Sequence, residues 1–173
     1  MPAPLPIHIA HASPYAHAMN ADSAAPSRPS PLLLRRLAAL FYDLWPVLAL
    51  WMLTAVPFTL LDVVASGGNT HHNIAPYSPL QWLLWLCCWV VAGGYATLSW
   101  RRGGQTLGMR PWRLYVQGTD GPPSMALLWK RYALGTLSLL CGGLGFWWAL
   151  VDRDGLTWHD RLSNTRLVHV PDR

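Results

Sequence analysis

Three long apolar runs, at residues 37–61, 80–100 and 132–151, limit what this chain can fold into more than any other feature. The first holds a single charged side chain and the other two hold none. As helices, at ~1.5 Å per residue, each spans about 30 Å or more, the thickness of a bilayer's hydrocarbon core. The expected fold class is therefore all-α membrane: a small bundle of about three transmembrane helices. Charged residues make up 12% of the chain, against roughly 25% in an average soluble domain. Its 11 tryptophans suit a membrane interface, where one end of the side chain is dry and the other wet. The net charge of +5 flanks the runs and forms no stripe, so the expected partner is the lipid bilayer and not nucleic acid.

Orientation follows from the cations. Arg28, Arg35 and Arg36 precede the first run, and the loop 62–79 has neither Lys nor Arg. The loop 101–131 carries Arg101, Arg102, Arg110, Arg113, Lys130 and Arg131. The positive-inside rule makes the N-terminus and the second loop of this multi-pass chain cytoplasmic. A plain third crossing, which we expect, puts the tail 152–173 outside. Alternating β-formers at 113–117 and 165–170 read as short strands of a β-hairpin-like element. They can pair only if the tail shares the loop's side. That requires the third run to turn back, with Gly142, Gly143 and Gly145 as the place to break. Otherwise these glycines serve close helix packing, as Ala92, Gly93, Ala96 and Thr97 do in the second run.

Residues 1–31 are rich in Pro, Ala, Ser and His and contain no apolar run, so a disordered tail is expected before a domain at 32–170. His8, His11 and His17 in that tail, and His71 and His72 in the first loop, lack the further ligands of an ordered site. Neither a metal nor a cofactor is expected. Cys87, Cys88 and Cys141 fall within apolar runs and read as packing residues.

Asp43 is the anomaly. It lies seven residues into the first run, where an ionised carboxylate must face the bundle, take a partner or carry a proton. Pro46 has no N–H for the carbonyl of Tyr42, which frees an acceptor beside the acid. Asp43 is thus either an ion or proton site or half of a structural ion pair. Arg36 shares its helix face but leans toward the N-terminus. Arg131, at the mouth of the third run, is the expected partner. Arg36 is left to reach lipid head groups or an acid from elsewhere.

The segments RRLAALFYD (35–43), GGQTLGM (103–109), DGPPS (120–124) and WHDRLSNTRLV (158–168) together resemble the RDD family, small bacterial membrane proteins named for one arginine and two aspartates. The resemblance covers about residues 32–170. It implies Arg36, Asp43 and Asp160 as the three naming residues, with His159 beside the last, and an inner-membrane location. Transport of some ligand has been suggested for the family. Two functions are carried forward: transport of an ion or small ligand with Asp43 as the buried acid, or a scaffold or accessory subunit in which Arg36, Asp43 and Asp160 are structural. Three spans rarely enclose a pathway, so a homo-oligomer or a partner membrane protein is expected. An enzyme is not, since no nucleophile motif accompanies His159 and Asp160; Asp160 reads as an anchor or helix cap.

Overall fold

A computed structural model of the protein describes residues 29–68, 74–119 and 121–170. His8, His11, His17, His71 and His72 lie outside them, as does the expected tail up to residue 28. Residues 29–31 already belong to the first helix. The elements in chain order are α1 (Pro29–Ala65), α2 (Pro79–Gly103), β1 (Leu114–Gly118), α3 (Met125–Leu140), α4 (Leu144–Trp147), a 3-10 turn (Trp148–Leu150), α5 (Trp158–Leu162) and β2 (Thr165–His169).

α1 has 37 residues, about 56 Å of helix, so it outruns the hydrocarbon core. Pro46 and Pro57 lie inside it, each removing one N–H from the ladder. None of its most apolar 18-residue window is buried. Trp45, Met52 and Leu53 are 65%, 75% and 69% exposed, which inverts the pattern of a soluble core and leaves an apolar surface for lipid. α2 starts with Pro79 behind Ser78, whose hydroxyl accepts from the Gln81 N–H. It ends where Gly104 turns left-handed (φ 69°), with Arg101 and Arg102 in its last turn. Both α1 and α2 are long and apolar enough to cross a membrane.

Small residues bring α2 and α3 together. A Cβ at Gly93 would stand 2.4 Å from the Trp129 ring and 2.7 Å from that of Tyr132. Trp89 joins those two rings, and its carbonyl accepts from Tyr132 Oη at 2.9 Å. The small-residue spacing in the second run therefore serves packing within the chain at Gly93.

The third apolar run is not one straight helix. Its helix begins at Met125, earlier than expected, with Ser124 as its cap. After Cys141 the chain bends by 105° into Leu144–Leu150. Gly142 and Gly143 make the break with φ of 70° and 79°, a conformation other residues resist. Gly145 then lets the returning chain press on α3, since a Cβ there would lie 2.5 Å from Ser138 Oγ.

The expected β element is present, and its strands come from the second loop and the tail. β1 and β2 pair antiparallel, Leu114 opposite His169 and Gly118 opposite Thr165. Leu114 and Val116 point inward onto Ala39 of α1, Met109 and Leu128 of α3. This small core gathers the start of α1, the end of α2, the start of α3 and both strands at one end of the molecule. Since α3 starts there and the tail returns there, both ends of the third run lie at this end of the molecule.

Candidate functional site

Two polar clusters occupy this end. The first surrounds Asp43, which is half-buried. Its Oδ1 accepts from Tyr95 Oη and from the Gly108 N–H, each at 2.8 Å, and its Oδ2 accepts from Thr106 Oγ1. Tyr95 Oη in turn accepts from the Leu107 N–H at 3.1 Å. The carboxylate thus pins the loop Thr106–Gly108 onto α1. Gly108 is necessary to that approach, because a Cβ there would meet the Ala39 carbonyl oxygen at 2.2 Å and the Asp43 amide nitrogen at 2.6 Å.

The second cluster centres on Asp160, which is fully buried. Arg36 Nη1 donates to its Oδ2 at 2.5 Å and Arg131 Nη1 donates to its Oδ1. Asp160 also closes a capping box at the start of α5. Its N–H donates to Thr157 Oγ1, and the Thr157 N–H donates back to Oδ2 at 3.2 Å. Arg131 Nη1 further donates to Thr165 Oγ1 at 2.7 Å. Ser163 Oγ donates to the His159 carbonyl, so the hydrogen it shares with Thr165 Oγ1 comes from the threonine. The Arg131 guanidinium also lies 5.5 Å from the centre of the Trp100 ring.

The expected pairing of Arg131 with Asp43 is not formed. Arg131 is nearly buried and spends its Nη1 on Asp160 and Thr165. The tail's return supplies an acid that a plain crossing would have carried away. Arg36, the alternative partner for Asp43, also turns to Asp160, as the lean of helical side chains toward the N-terminus allows. The fold thus brings Arg36, Arg131, His159 and Asp160 together and leaves Asp43 about 10 Å along α1 from Arg36. No ion pair reaches Asp43 among the described residues. No group of three metal-ligating side chains forms among them either.

Burial raises the pKa of Asp160, but the guanidiniums of Arg131 and Arg36 outweigh it and hold the carboxyl well below the usual range. His159 behaves in the opposite sense. Burial, reinforced by the charge of Arg131, pushes it down to about 3, so its ring is neutral at physiological pH. That ring packs on Phe146 at 4.7 Å. No hydrogen bond joins the His159 ring to the Asp160 carboxylate among the described residues.

The neutral histidine has a consequence for acid stability. Its folded pKa lies below the unfolded value, so the unfolded chain takes up the proton first as pH falls. His159's contribution is complete above about pH 6.5 and fades toward pH 3, by about 1.4 kcal/mol per pH unit. Asp160 adds to the loss in the same direction, below about pH 3.9. Melting curves of detergent-solubilised protein are expected to show Tm falling between pH 6.5 and 5, with a clearly shallower slope in His159→Gln. An unchanged slope in that variant would contradict the neutral assignment.

Sequence reasoning overlooked Tyr95, Thr106, Gly108, Thr157 and Thr165 as partners. Only Thr157 had a local signal, since Thr157-x-x-Asp160 has the spacing of a capping box.

The family model for RDD matches residues 30–164, more than three-quarters of the chain. The chain belongs to the RDD family. It is a membrane protein with two helices able to cross a bilayer, or up to three if the bent pair counts as one. No curated protein and no solved structure matches it. In this RDD protein, Arg36 and Asp160 are bonded to each other, and Asp43 holds the loop between α2 and β1.

Proposed function

We propose that this RDD protein is a non-enzymatic scaffold or accessory subunit of the bacterial inner membrane. Its N-terminus, second loop and tail are cytoplasmic, and residues 125–151 form a re-entrant hairpin. The observation that carries this reading is the engagement of Asp43: both carboxylate oxygens accept from donors of its own chain, three in all. A carboxylate so engaged works as an anchor. Arg36, Arg131 and Asp160 tie α1, α3 and the tail in the same way, and together they hold a compact cytoplasmic cap. The uncovered apolar faces of α1 and α2 then meet lipid and either a second copy or a partner membrane protein.

The second reading is transport of an ion or proton at Asp43. It is favoured by the lack of a counter-cation among the described residues, which leaves the Asp43 charge unpaired within the apolar run. Reconstituted vesicles separate the two. In the scaffold, proton and sodium gradients give flat flux traces. Asp43→Asn folds with a loss of about 1 kcal/mol, because the amide oxygen keeps two donors and Thr106 turns from donor to acceptor. Asp43→Ala strands all three donors and costs about 3 kcal/mol or more. A wild-type flux that folded Asp43→Asn abolishes would establish transport in its place.

A further inference from the structure

The Asp160 cluster has more positive charge and more donors than its own chain uses. Arg36 and Arg131 contribute two cations, Asp160 one anion, and His159 is neutral, so a buried charge of about +1 remains. Arg36 is only 6% exposed and bonds Asp160 through Nη1 alone. Its Nε and Nη2 are buried and have no partner among the described residues. Those two atoms form the planar edge of a guanidinium that grips two oxygens of one oxyanion. His159, the neighbour of the Asp160 that Arg36 bonds, has a buried Nδ1 that likewise lacks a partner among the described residues. A neutral imidazole can present that nitrogen as a donor. Buried donors left empty, above all on a cation, are costly, and native proteins fill them.

We propose that the Nε–Nη2 edge of Arg36, in the cluster that also holds His159, is a binding site for a phosphate-type oxyanion, borne by a lipid head group or free in the cytoplasm. The bound oxygens neutralise the excess charge and complete the donor set, so occupancy stiffens the junction of α1 with the tail. The site goes beyond the scaffold reading and does not require it.

The test uses the full chain in neutral detergent, freed of lipid. Inorganic phosphate and short-chain phosphatidic acid are titrated separately while thermal melting is followed. At about a hundredfold excess over Kd, the effective ligand raises Tm by about 5–10 °C. A rise with both probes assigns a free anion, and a rise with phosphatidic acid alone assigns a head group. Arg36→Lys keeps a cation for Asp160 but lacks the two-atom edge, and it abolishes the rise. If that variant does not fold, 15N-arginine spectra of wild-type protein give the answer instead, through a saturable shift of one buried Nε–H resonance on adding phosphate. No rise and no shifted resonance with either probe, or an equal rise in folded Arg36→Lys, overturns the proposal.

Discussion

Asp160→Asn is expected to destabilise the detergent-solubilised protein by about 3–5 kcal/mol, the range for breaking a buried ion pair by removing one partner. The carboxylate is fully buried between two guanidiniums that are themselves almost out of solvent. An asparagine cannot offer two anionic oxygens, so Arg36 and Arg131 stay buried against each other with only a neutral acceptor between them. The capping box of α5 is weakened by the same change, because Oδ2 also accepts from the Thr157 N–H. Adding Arg131→Met to Asp160→Asn removes one of the two stranded cations. The double variant should therefore be more stable than the single one, a coupling that a double-mutant cycle in thermal or urea melting resolves. By contrast, the exposed pair of Arg161 with Asp154 should contribute under about 1 kcal/mol.

Gly108→Ala is expected to be nearly as damaging, although it adds a single methyl group. The atoms that a Cβ would strike belong to the α1 backbone at Ala39 and Asp43, which has no rotamer to change. The loop must withdraw, and the Gly108 N–H then leaves the Asp43 carboxylate. Overpacking at about 1–3 kcal/mol and a lost bond to a charged acceptor at about 1.5–3 kcal/mol point to a total near 3–5 kcal/mol. Gly94→Ala is the matched control. Nothing lies within 4 Å of its missing Cβ, and it sits inside a helix. There alanine should stabilise by up to about 1 kcal/mol. If both substitutions had the same effect, the close approach of loop and helix would not exist.

The apolar runs were legible because hydrophobic length is a local property, and the strands because alternation is too. Residues 113–117 and 165–170 fell within one residue of the observed strands. The partners of the ionisable residues were not legible, because they depend on which segments meet. Everything turned on residues 142 and 143. Read as packing glycines, they let the third run cross and carry Asp160 to the far side, which made Arg131 the natural partner for Asp43. As left-handed residues they return the tail, and Asp160 takes both arginines. The alternation that suggested pairing strands already contained this answer, since strands on opposite faces of a membrane cannot bond. Tyr95 and Thr106 gave no signal of their own: a tyrosine in an apolar run and a threonine in a glycine loop are ordinary until the fold brings them to one carboxylate.

The side of the membrane on which the tail lies tests the Arg36–Asp160–Arg131 junction most directly. Arg153 is exposed, just after the bent pair of helices. With Cys87, Cys88 and Cys141 replaced by alanine, Arg153→Cys offers one thiol to an impermeant maleimide in right-side-out and inverted vesicles. Labelling in inverted vesicles alone is the expected result. Labelling in right-side-out vesicles alone, with a thiol at Arg35 in a separate variant labelled only in inverted ones, would put Asp160 across the membrane from Arg36 and contradict the junction.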